Sequence, residues 1–195
     1  MREAADTRVV VLAGGAGARL RPYTAVLPKP LMPIVDMPIL EVVLRQLRYF
    51  GFRHVTVAVN HLAELIRTFF GDGSKLGLDI EYCLEETPLG TAGPLALVRD
   101  ITDPLLVLNG DLLTTLDFAA IVRRHQETGA CATIGAFQRE VHVDFGVLEL
   151  DAAGLLQNYV EKPRLKYSIS MGINVFSRRG VPSSHLAPAS IFRRS

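Results

Sequence analysis

RVVVLAGGAGARLRPYTAVLPKPLMPI, residues 8–34, opens as a short apolar run and breaks abruptly into glycine. Arg8 to Ala13 is rich in β-branched residues and has no polar alternation, the pattern of a strand buried on both faces. Working outward, Leu40, Val43, Leu44 and Leu47 recur at i, i+3, i+4, i+7, so the spacing predicts a helix over Ile39 to Phe50, stopped by Gly51. The pairing repeats. His54 to Val59 reads as a strand, and Leu62, Leu65, Ile66 and Phe69 mark a second helix ended by Gly71-Asp72-Gly73. Leu78 to Leu84 and Leu105 to Leu108 give two further strands, with a short helix expected around Gly93 to Arg99. Asp117 stands where an N-cap would start a helix bearing Phe118, Ile121 and Val122. Such alternation means an α/β fold with a mostly parallel sheet. Past Ala130 the strand-like runs Ala132 to Phe137, Val147 to Leu150, Leu156 to Val160 and Ile173 to Phe176 follow without helices, Asp151-Ala152-Ala153-Gly154 forming a hairpin turn. The second half is expected to extend the same sheet in mixed or antiparallel fashion, within one domain.

The chain has 195 residues, 49% of them apolar, enough for one substantial core and too few for two ordinary domains. Its formal net charge of +1 gives no polyanion-binding surface, so neither nucleic acid nor a membrane is an expected partner. The apolar run Val9 to Ala13 is too short for a signal segment or a span, and a cytoplasmic protein is expected; a homo-oligomer is left open. Cys83 and Cys131 show no CxxC or Cys/His spacing and are expected to be buried structural thiols. The histidines share no spacing, and no serine or cysteine sits in a nucleophile context, so a covalent intermediate is not indicated.

Gly14-Gly15-Ala16-Gly17-Ala18-Arg19-Leu20 follows the first strand at the edge where open α/β sheets bind ligands. Two familiar phosphate loops fail here. The dinucleotide fingerprint needs a third glycine where Leu20 stands, and the Walker loop needs Lys-Ser or Lys-Thr where Ala18-Arg19 stands. What remains is a glycine loop with its own arginine, followed by Pro28-Lys29-Pro30. Arg19 offers a planar, permanently charged fork and Lys29 a compact charge on a segment stiffened by prolines, two cations suited to one polyphosphate.

Leu12 to Ile34 resembles the signature of the sugar-1-phosphate nucleotidyltransferases, GxGTRL followed by a Pro and PKPLxP, in order over some two dozen residues. The form EETPLGTAGPL, Glu85 to Leu95, looks most like the mannose-1-phosphate guanylyltransferases. The resemblance implies a three-layer, Rossmann-like sandwich with a mixed, mostly parallel sheet, and the reaction NTP + sugar 1-phosphate to NDP-sugar + pyrophosphate. It implies catalytic roles for Arg19, Lys29 and Asp111, with Asp111 of Asn109-Gly110-Asp111 anchoring Mg²⁺ through hard oxygens. Leu12, Ala13, Gly14, Gly15, Glu85, Pro88, Gly90 and Thr91 would bind the nucleotide. Guanine presents two adjacent donors, N1–H and N2–H₂, which a carboxylate at Glu85 can both accept, so GTP is favoured. Asn109, Gly146, Glu161, Lys162 and Gly172 would bind the sugar phosphate, the two glycines by leaving room for the ring.

Three departures are visible. Ala18 replaces the family's threonine, which is expected to weaken catalysis by removing a hydroxyl near the phosphates, and Ser170 replaces an asparagine in the second sugar segment. After Phe176 the resemblance is expected to stop. Residues 1–177 would then form the catalytic domain, lacking the segment that carries a second metal-binding aspartate in the family, with 178–195 a divergent tail. The alternatives are a glucose-1-phosphate thymidylyl- or uridylyltransferase, and a truncated or regulatory module that binds nucleotide without turnover. A glycosyltransferase of the related fold would need a paired-carboxylate metal motif, whose first carboxylate Asn109 lacks.

Overall fold

The structure is a computed structural model describing residues 2–15, 17, 20–60, 62–85, 93–98 and 100–180. In chain order its elements are α1 (Arg2–Asp6), β1 (Val9–Leu12), the short pair β2 (Pro33–Ile34) and β3 (Met37–Pro38), α2 (Ile39–Tyr49), β4 (His54–Val59), α3 (Ala63–Phe70), β5 (Asp79–Leu84), β6 (Leu105–Asn109), α4 (Phe118–Thr128), β7 (Ala132–His142), β8 (Val147–Leu150), β9 (Leu156–Val160) and β10 (Arg164–Phe176). Among the described residues, six strands form the main sheet in the order β5-β4-β1-β6-β10-β7. The α/β fold with a mixed, mostly parallel sheet is as expected. β1 lies between β4 and β6, parallel to both, with Leu12 opposite Ala58 on one side and Asn109 on the other. β4 and β5 are parallel, and β10 reverses direction against β6, Ile173 facing Leu108.

Burial follows from that topology. Val9, Val10 and Val11 are wholly buried, because a central parallel strand has neighbours on both edges and elements on both faces. Val10, Leu105 and Val107 pack with Leu95 and Val98, so the turn at Gly93–Leu97, a 3₁₀ segment rather than the expected helix, closes one core cluster. Helix α2 buries Ile39, Leu40, Val43, Leu44 and Leu47, and α4 buries Phe118, Val122 and His125, each on one face. Asp117 caps α4, its Oδ1 accepting from the Ala120 amide at 2.9 Å. Arg8 is buried, but its guanidinium bonds Thr56 Oγ1 (2.9 Å) and Glu81 (2.7 Å) across β4 and β5.

His125 ties α4 to β7 and to the residue that follows β10. Ser177 Oγ donates to the Ala130 carbonyl (2.9 Å), so it accepts from Nε2–H of His125 (3.0 Å), leaving Nδ1 to accept from the Thr133 hydroxyl (2.9 Å). Burial first, then the Arg179 charge, holds the imidazole below its ordinary 6.5, with Asp103 opposing. The fold therefore favours neutral His125, and the unfolded chain takes up the proton first as pH falls. Stability from this site is intact above the unfolded value and is lost as pH drops from there through the folded one. The urea midpoint of His125→Gln should accordingly fall less between pH 7.5 and 5.5 than that of the parent. Equal falls in the two proteins would contradict this origin.

The chain divides into two compact units, Met1–Ile134 with Gly172–Ser195, and Gly135–Met171, so β7 and β10 each belong partly to both. In the second unit the expectation of one extended sheet is corrected. β8 and β9 form their own two-stranded sheet, with Leu148 opposite Tyr159 and Glu149 opposite Asn158. The cause is local. Asp151 Oδ1 accepts from the amides of Ala153 and Leu155, both at 2.9 Å, and Gly154 takes φ +80°, closing the hairpin on itself. The Leu155 amide is the largest of the hydrogen bonds that hold the Asp151 carboxyl below its ordinary value. The cysteine expectation is corrected as well. Both thiols are free, but Cys131 is exposed beside the edge strand β7 and Cys83 is half-buried on edge strand β5.

Candidate functional site

At the carboxyl ends of β1, β4, β5 and β6, loops from distant parts of the chain meet. Leaving β1, the Ala13 amide donates to the Ala58 carbonyl, and the Leu12 carbonyl accepts from the Gly110 amide, both at 2.8 Å. The turn after β6 is thereby held against the start of the glycine loop. A Cβ placed on Gly14 would lie 3.2 Å from the Asn60 side chain and 3.4 Å from Glu85 Oε1, so the ends of β4 and β5 border the same loop. Glu85 is 8% exposed and is no surface cap; its amide donates to the Val59 carbonyl at 2.8 Å.

Lys29 is presented by the tight turn Lys29–Leu31, entered from extended Pro28, with Pro30 and Leu31 buried beneath it. Those prolines and the buried pair leave the lysine backbone little freedom, as the sequence suggested. Its Nζ is ion-paired with Asp111 Oδ2, although 82 positions separate them. The side chains remain 38% and 31% exposed, where such a pair contributes about 1 kcal/mol or less to stability. The pair stands at the carboxyl end of the sheet, the side on which open α/β sheets bind ligands.

The two glycines expected to leave room for a sugar ring each lie against a side chain of this chain. Gly172 has φ +71°, and the Asn109 amide occupies the place a Cβ would take. In the second unit the Tyr159 phenol does the same at Gly146, and its hydroxyl donates to the Glu161 carboxylate. Lys162 next to it adopts φ +45°, a left-handed conformation costing about 1–2 kcal/mol for a non-glycine residue. Leu12, Ala13, Gly14, Glu85, Asn109, Lys29, Asp111 and Gly172 thus lie in the first unit, joined through the contacts above. Gly15 follows Gly14 there and is exposed. Gly146, Glu161 and Lys162 lie in the second unit. Arg19, Pro88, Gly90 and Thr91 fall outside the described residues.

Asn60, which closes β4 against Gly14, and Thr24, beneath the glycine loop, were not singled out by sequence. Their only signal was position, one just after a strand and one inside the run 12–34. Two cavities of about 690 and 640 Å³ lie elsewhere in the first unit, near His125 with Arg178 and near Tyr82 with Asp100, and neither includes Lys29 or Asp111. Among the described residues no group of three His, Cys, Asp or Glu side chains could hold a metal ion. Asp111 offers one hard carboxylate at the loop edge. That donor suits a divalent cation whose other ligands are substrate phosphates and water, and does not suit an all-protein cage.

The nucleotidyl transferase family model matches residues 8–184. The chain belongs to the nucleotidyl transferase family. The match runs past Phe176, where the resemblance had been expected to stop. The mannose-1-phosphate guanylyltransferase catalytic subunit beta of Xenopus tropicalis is 36% identical over 192 residues, covering 94% of this chain and 53% of that protein. The UTP–glucose-1-phosphate uridylyltransferase of Synechocystis sp. is 36% identical over 182 residues, covering 86% and 47%. The chain spans about half the length of the curated relatives it matches. Among solved structures, HddC from Yersinia pseudotuberculosis complexed with GMP-PN gives a TM-score of 0.72 at 22% identity, over 95% of this chain and 85% of that one, a likeness of fold. The matched region includes Gly14, Lys29 and Asp111.

Proposed function

We propose that the chain transfers a nucleotidyl group from a nucleoside triphosphate to a sugar 1-phosphate, with GTP and mannose 1-phosphate the favoured pair. The observation carrying this reading is the meeting of Lys29 and Asp111 beside the loop that leaves β1. An oxygen of the sugar phosphate attacks the α-phosphorus in line, the bond from that phosphorus to the β-phosphate oxygen breaks, and pyrophosphate leaves. The attacking oxygen is already an anion, so no general base is needed. The difficulty is bringing two polyanions together and stabilising charge on the leaving oxygens.

Arg19 is assigned the leaving pyrophosphate and Lys29 the α-phosphate, and the resemblance of Glu161-Lys162-Pro163 to the family's sugar segment assigns Lys162, within the second unit, to the sugar phosphate. Glu161, oriented by Tyr159, binds sugar hydroxyls. Asp111 provides a carboxylate for Mg²⁺, with the remaining ligands supplied by phosphate oxygens and water. The cation, when bound, offsets negative charge on the phosphate oxygens. The reading carries a nucleotide-sugar-forming role, with the cytoplasm as its proposed place.

The buried Glu85 carboxylate supports guanine as the base, since it can accept from N1–H and N2–H₂ together. In Glu85→Gln, one of those acceptors becomes a donor. The ratio of kcat/KM for GTP over UTP, read by pyrophosphate release with mannose 1-phosphate, should fall on the order of 10²-fold. An unchanged ratio removes the base assignment. The Synechocystis relative favours a second reading, UTP or dTTP with glucose 1-phosphate, which a screen of four nucleotides against both sugar phosphates decides. Nucleotide binding without pyrophosphate release with any pair would mark a binding module instead.

A further inference from the structure

Thr24 has no role in the chemistry above, yet it is 4% exposed and packed under the glycine loop. Its Oγ1 donates to the Gly17 carbonyl at 3.0 Å, and the Leu20 amide donates to the same carbonyl at 2.8 Å, so both lone pairs of that oxygen are engaged. Gly17 takes φ +58°. A Cβ there would lie 2.8 Å from the Thr24 methyl and 3.4 Å from the Lys29 Cβ. One side chain therefore bonds the Gly17 carbonyl through its hydroxyl and, through its methyl, fills the space that a Cβ on Gly17 would need, with the Lys29 Cβ beside it.

We infer that Thr24 is a positioning residue that fixes the glycine loop against the Lys29 segment and so sets the phosphate-binding geometry. The inference rests on the nucleotidyl transfer proposed above. Gly17 and Leu20 bracket Arg19 in sequence, and their backbones are tied to each other through the carbonyl that Thr24 holds. Releasing that carbonyl removes one of the two bonds that hold Gly17, which precedes Arg19 by two positions in sequence. The hydroxyl is the acting group, and the methyl contributes packing.

Thr24→Val keeps the shape and removes the donor, whereas Thr24→Ser keeps the donor and removes the methyl. Thr24→Val should lower kcat/KM for the nucleotide about 10-fold, the factor expected from one buried hydrogen bond, while KM for the sugar phosphate stays within about 2-fold. Thr24→Ser should stay within about 3-fold of the parent on every parameter. Parent-like kcat/KM in Thr24→Val overturns the inference, as does an equal loss in Thr24→Ser. Should Thr24→Val fail to fold, Thr24→Ser decides alone, a 10-fold loss there contradicting the hydroxyl's role. Should the parent bind GTP without turnover, the functional reading fails but calorimetry still tests Thr24. An affinity about 10-fold weaker in Thr24→Val alone upholds the inference, and equal affinities overturn it.

Discussion

Replacing Lys29 with alanine is expected to lower kcat/KM for nucleotidyl transfer by about 10²-fold or more, the loss typical of a preorganised donor aimed at developing charge. Asp111→Asn, which keeps the shape and removes the charge, should cost a similar factor. Neither change should matter much to the fold. The two side chains are about one third exposed, so their pairing contributes about 1 kcal/mol or less, and urea midpoints should stay near that of the parent. Steady-state pyrophosphate release checks the first statement and equilibrium unfolding the second. Turnover near the parent value in either variant would mean the pair is a surface ion pair only.

The opposite profile is expected of Phe118→Ala. Phe118 is wholly buried at the start of α4, its ring edge-on to Phe50 at 5.6 Å between centroids, which joins α4 to the end of α2. Removing the ring should cost about 3–5 kcal/mol, because the removed atoms lose their burial and the neighbours only partly close the cavity. That is a large share of the stability of an ordinary domain, about 5–15 kcal/mol. In urea the midpoint should drop with little change in slope, while KM for either substrate, measured where the variant is folded, stays that of the parent. A cost below about 1 kcal/mol would mean the site collapses around the truncation.

The central strands were legible because a parallel strand buried on both faces reads as an unbroken apolar run, as in Val9 to Leu12 and Leu105 to Leu108. Edge strand β5 was legible too, but β7 and β10 were legible only in part, as Ala132 to Phe137 and Ile173 to Phe176. β7 continues through Gln138, Arg139 and Glu140, and β10 begins at Arg164 and includes Lys166, because these stretches are largely exposed and charged residues do not interrupt the ladder. The glycine loop and Lys29 could be read from their own chemistry. Asp111 could not, since Asn-Gly-Asp alone is a turn; only resemblance to a family linked it with Lys29. Gly146 and Gly172 illustrate a different limit. A glycine in a strand announces that something approaches closely, and here the nearest groups are Tyr159 and Asn109, side chains whose direction no spacing rule provides. Thr24 is similar, its place resting on a hydrogen bond to the Gly17 carbonyl and on a methyl that fills the space beside Gly17, neither of which spacing announces.

All of the chemistry depends on the triphosphate lying against the loop that follows β1. The most direct measurement is a crystal structure of the chain with a non-hydrolysable GTP analogue and a divalent cation. The account predicts phosphate oxygens within hydrogen-bond reach of the glycine-loop amides and Lys29, and the base beside Glu85. A nucleotide bound instead in the cavity near His125 and Arg178, with Lys29 still paired to Asp111, would contradict it.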